Sequence, residues 1–134
     1  IDMTGERALE RLLEIERSGV LDRDGERKAG YAGMVEVIRD YLAARYRLAI
    51  HDLTSSELLA RLGQHAPPGE IELVRGWLEG CDLVKYGGIR ATPAEAGKVL
   101  DDARALIVTT TEARIEAKID RSGKPGPEAA KEAA

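Results

Sequence analysis

A chain of 134 residues with one cysteine, no Phe and a formal net charge of -4 is long enough to bury one core without disulfides or metal. Cys81 alone excludes an internal disulfide and a cysteine-cluster metal site, and allows a reducing compartment. The acidic balance gives no general attraction to nucleic acid or anionic lipid, though a local basic patch is left open.

From Thr4 to Ser18, Ala8, Leu9, Leu12, Leu13 and Ile15 recur at helical spacing, and Gly19 fits a helix stop followed by the apolar pair Val20 and Leu21. Asp22 to Gly30 reads as loop. Its Asp22-Arg23-Asp24-Gly25 lacks the further oxygen ligands and the closing Glu of a calcium loop, and Asp and Gly favour turns in any case. Tyr31, Met34, Val35, Ile38, Tyr41, Leu42 and Tyr46 then share one helical face. A tyrosine stripe could stack bases, but at this spacing it is read as core. Leu48 to Asp52 is expected as a short extended strand.

Thr54-Ser55-Ser56-Glu57 has the form of a capping box, with Leu53 and Leu58 placed as a hydrophobic staple, and predicts a helix from about Ser55 to Leu62. Gly63, Pro67 and Pro68 end it. A further helix puts Ile71, Val74, Trp77, Leu78 and Cys81 on one side. Leu83 to Tyr86 and Ile89 to Thr92 flank Gly87-Gly88, a pair suited to a tight turn, and predict a β-hairpin. Thr92-Pro93-Ala94-Glu95 is a second capping box, from which Ala96, Val99, Leu100, Ala103, Leu106 and Ile107 continue as a helix, weakly through Ile115 and Ile119.

This order of elements predicts an α+β, mostly helical fold of winged helix-turn-helix type with a small two- or three-stranded antiparallel sheet. Residues 1–30 form a helix and loop packed on the domain, 31–120 the winged-helix-like domain with its long C-terminal helix, and 121–134 a tail or linker. Gly87 and Gly88 are the expected wing tip, and Ile71 to Cys81 the helix that DNA-binding members lay in the major groove.

The runs Ile38-Arg39-Asp40-Tyr41-Leu42-Ala43-Ala44-Arg45-Tyr46, Leu53-Thr54-Ser55-Ser56-Glu57-Leu58-Leu59 and, above all, Cys81-Asp82-Leu83-Val84-Lys85-Tyr86 resemble the C-terminal cytoplasmic region of BatD-like bacterial membrane proteins. The resemblance covers roughly Ala8 to Thr110. In many members Phe stands at the position of Tyr86 and a short polar turn replaces the Gly-Gly. The resemblance implies a non-enzymatic domain on the cytoplasmic face of the bacterial inner membrane. Its implied partners are a MoxR-type AAA+ ATPase or a von Willebrand A-domain protein. Because the sequence opens at Ile1 and not at Met, it is expected to be a piece of something longer, with any membrane span upstream.

Catalysis is not expected. The chain has no phosphate-cradling glycine motif and no serine elbow; no carboxylate pair stands out from solvated helix faces, though such a pair is not excluded. His51 and His65 stand apart from other ligand residues, so neither metal nor cofactor is expected. Cys81 beside Lys85 could be a reactive thiol, but its phase with Val74, Trp77 and Leu78 favours core. DNA binding is the alternative to protein binding, and charge weighs against it. Glu70, Glu72 and Glu79 oppose Arg75 on the candidate helix, and the wing adds only Lys85 and Arg90. These six residues are the candidate protein-binding set, with the acidic helix face steering a basic partner.

Overall fold

A computed structural model describes residues 3–49 and 52–122, the last ten as backbone. Among the described residues there are five helices: α1 (Thr4–Ser18), α2 (Arg27–Tyr46), α3 (Ser55–Leu62), α4 (Pro68–Lys85) and α5 (Pro93–Ser122). α2 and α5 pack on each other and each touches both α1 and α4, while α3 leans on α4. One apolar core runs through all five, from Leu12 on α1 through Met34 and Ile38 on α2 and Leu58 on α3 to Leu78 on α4 and Leu106 on α5.

Local sequence explains most of the helix ends. Gly19 closes α1 in the left-handed region at φ 75, donating its N–H to the Glu16 carbonyl. Leu21 is buried just beyond it and lies over Gly30, where a Cβ would come within 2.6 Å of the Leu21 side chain. Gly30 therefore admits the α1–α2 loop onto α2. Both expected capping boxes are present. The Thr54 hydroxyl accepts the Glu57 N–H at 3.2 Å, and the Thr92 hydroxyl accepts the Glu95 N–H at 3.1 Å, with each glutamate returning to the backbone of its threonine. Each box satisfies amides that the first helical turn leaves unpaired. α2 starts at Arg27, before the expected Tyr31, and ends at Arg47 in the left-handed region.

Polar contacts join the helices across the core. Tyr41 on α2 bonds the Thr110 hydroxyl on α5 at 2.6 Å, and Trp77 on α4 donates its indole N–H to the Val99 carbonyl on α5 at 3.0 Å. Arg11 pairs with Asp40, and Arg104 with Glu16, each at 2.8 Å, linking α1 to α2 and α5. The Arg39 guanidinium reaches the Leu53 carbonyl at the entry to α3.

The expected sheet is not there. Among the described residues no strand occurs, which overturns the α+β winged-helix reading. Leu83, Val84 and Lys85 complete the last turn of α4: the Tyr86 N–H bonds the Asp82 carbonyl at 2.8 Å and the Gly87 N–H the Leu83 carbonyl at 3.0 Å. Gly88 then turns the chain away at φ 72. The Gly-Gly pair serves as a helix stop, not as a hairpin tip. A Cβ at Gly87 would sit 2.7 Å from the Leu83 carbonyl oxygen, so glycine is needed for the chain to pass so close. Ile89 to Thr92 is an irregular connection into α5. Of the other expected strand, Leu48 and Ala49 are irregular, Asp52 lies in a turn, and Ile50 and His51 fall outside the described residues. So does most of the expected 121–134 tail, of which only residues 121 and 122 are described, as the end of α5.

Candidate interaction surface

α4 presents two sides. Val74, Trp77, Leu78 and Cys81 are buried on the inner one. The outer one carries Gly69, Leu73, Gly76, Gly80 and Leu83 at alternating steps of four and three, which align on one stripe of a helix. A Cβ added at Gly69, Gly76 or Gly80 would meet nothing within 4 Å, so no part of the described domain covers that stripe. At its C-terminal end Leu83 is 52 % exposed, and in the loop beyond Tyr86 is 78 % and Ile89 50 % exposed, with the Ile89 N–H reaching back to the Leu83 carbonyl at 3.4 Å. Single exposed apolar residues are ordinary, whereas a contiguous group is not.

The six candidate residues divide between the two sides. Glu70 belongs to the interior: its carboxylate accepts from Arg45 at 2.7 Å and from the Tyr46 hydroxyl at 3.0 Å, with side-chain exposures of only 11 % for Glu70 and 7 % for Arg45. It ties α4 to the end of α2 and is not available to a partner. Burial pushes the Tyr46 hydroxyl up to about 12, against the opposing pull of the Arg45 guanidinium. Glu72 and Glu79 are exposed and, seven residues apart, flank the glycine stripe on one side. Arg75 pairs with Glu72 at 3.3 Å in solvent, a contact worth little to stability. Lys85 lies half-buried with its ammonium 4.9 Å from the centre of the Tyr86 ring. Arg90 stands apart, exposed in the connection to α5. Gly87 and Gly88 shape the turn between Tyr86 and Ile89, and with no hairpin they tip no wing.

The stripe and the group Leu83, Tyr86 and Ile89 are what reading the sequence missed. A signal existed, because the Gly/Leu spacing runs out of phase with Val74, Leu78 and Cys81. The thiol of Cys81 is fully buried and pushed up to about 12, first by burial and then by Asp82, so it behaves as core and not as a nucleophile. His65 is exposed. Among the described residues no helix is long and apolar enough to cross a membrane. No family model, curated protein or solved structure matches the chain.

Proposed function

We propose that this is a non-enzymatic protein-interaction domain that docks a helix of another protein on the outer side of α4 and on the loop that follows it. The observation that carries this reading is the uncovered surface from Gly69 through Leu83 to Tyr86 and Ile89. Glycine inside a helix destabilises it by roughly 0.5–1 kcal/mol relative to alanine, and two of them, Gly76 and Gly80, face open solvent in line with Gly69 in the first turn. Nothing among the described residues calls for their small size, but a second helix approaching closely would.

Charge narrows the occupant. In an antiparallel pairing with a second copy, Glu72 and Glu79 would meet their own counterparts. A partner helix with small or apolar residues at the contact and Lys or Arg beside them would meet opposite charge. The BatD-like resemblance names a MoxR-type AAA+ ATPase and a von Willebrand A-domain protein as first candidates, at the cytoplasmic face of a bacterial inner membrane. The hairpin that suggested DNA binding is absent among the described residues, and the outer side of α4 presents carboxylates to a duplex.

Site-specific photo-crosslinking in cells tests the proposal. A crosslinking amino acid replaces Leu73 or Tyr86 on the proposed face, or the exposed Lys98 on α5 as a control. A discrete protein adduct from Leu73 and Tyr86 but not from Lys98 is the expected result. Equal adducts at all three positions, or none at the first two, contradict it. So does sub-micromolar duplex binding that weakens steeply with salt.

A further inference from the structure

Between the α1–α2 loop and the α4–α5 connection lies an open cleft of about 610 Å³, of a size that takes small ligands. It shares Ile89 with the docking surface proposed above, but its charge differs from that of the outer side of α4. Arg27 crosses its base. The guanidinium donates to the Leu21 carbonyl at 2.6 Å, to the Ala91 carbonyl at 2.9 Å and to Asp24 at 2.7 Å, and so bonds the two loops together. Arg27 is thereby committed to structure. Lys28 from one wall and Arg90 from the other are exposed, and neither pairs with a carboxylate among the described residues. Between them the lining is apolar: Val84, Ile89, Ala91 and Pro93. In a chain of net charge -4, Lys28 from the first turn of α2 and Arg90 from the α4–α5 connection face one space, and the one carboxylate in its lining, Asp24, is already paired with Arg27.

We infer that this cleft binds a carboxylate that stands beside an apolar side chain, as at the C-terminal residue of a peptide. Lys28 and Arg90 hold the carboxylate from two sides by charge-assisted hydrogen bonds, and Ile89, Val84 and Pro93 take the side chain. A bare phosphate would use the two cations but gain nothing from the apolar lining. A neutral apolar group would use only the lining. Both halves are needed, and that requirement makes the site specific. The inference does not depend on the docking role proposed for α4.

The test is an NMR titration of the whole chain with three probes: N-acetyl-leucine, its uncharged amide, and inorganic phosphate. The expected result is saturable shifts at the amides of Ile89, Arg90 and Ala91 with N-acetyl-leucine, and at least tenfold weaker binding of the amide and of phosphate. The single variants Lys28→Ala and Arg90→Ala, both at exposed positions, should each weaken N-acetyl-leucine about tenfold, the size of one lost charge-assisted hydrogen bond. Spectra of the free variants will show whether the fold is intact. Absence of saturable shifts, equal affinity for acid and amide, phosphate binding as tightly as N-acetyl-leucine, or unchanged binding by both variants overturns the inference.

Discussion

Glu70 and Glu72 stand two residues apart on α4 and serve opposite ends. Glu70 turns inward to Arg45 and Tyr46, where both charges are withdrawn from water and each depends on the other. Glu72 turns outward to Arg75, where water screens the pair. The same division runs along the whole helix, with Val74, Leu78 and Cys81 buried on one side and Gly69, Gly76 and Gly80 open on the other. Residue type does not decide what a carboxylate does on this helix; the side it occupies does.

The largest expected effect lies on the inner side. Glu70→Ala leaves the Arg45 guanidinium buried without its carboxylate and should destabilise the domain by about 3–5 kcal/mol. Urea unfolding measures it, and a loss below about 1 kcal/mol would place Glu70 with the exposed glutamates.

Next in size is the alkaline limb. Cys81 and Tyr46 hold their protons up to about 12 in the folded chain, whereas their unfolded counterparts release them from about 9 and 10. Between those values and 12 the folded state binds more protons than the unfolded one, so stability is intact below pH 9 and falls as pH rises. The slope from Cys81 is about 1.4 kcal/mol per pH unit, with a smaller part from Tyr46, which is more open to solvent. Urea midpoints between pH 8.5 and 11 should therefore drop in this protein, and Cys81→Ala should flatten most of the drop. A flat profile in the unsubstituted protein would mean that the inner side of α4 admits water. The smallest effect is outer: Glu72→Ala should leave stability within about 0.5 kcal/mol.

Much of the fold was legible because its signals are local. The extent of α1 and its Gly19 stop, the two capping boxes and the face from Tyr31 to Leu42 each depend on residues within a few positions of one another. The hairpin reading failed because Leu83 to Tyr86 with Gly87-Gly88 carries two meanings: a glycine pair can turn a hairpin or end a helix. Val84 held the deciding hint. It continues the face of Trp77 and Cys81 at helical spacing, and it is half-buried there. The early start of α2 had no capping side chain to announce it. The burial of Glu70 was not legible at all, because its partners lie 24 and 25 residues back on another helix.

On the outer side, Gly76→Ala and Gly80→Ala together test the central claim, that α4 is one continuous helix with an uncovered face, most directly. With open space at both positions and helical backbone through them, the double variant should be more stable than the parent by about 1–2 kcal/mol in urea unfolding. A loss of stability would contradict the account, because it would mean either that the two methyl groups strike something or that the helix does not run through these glycines.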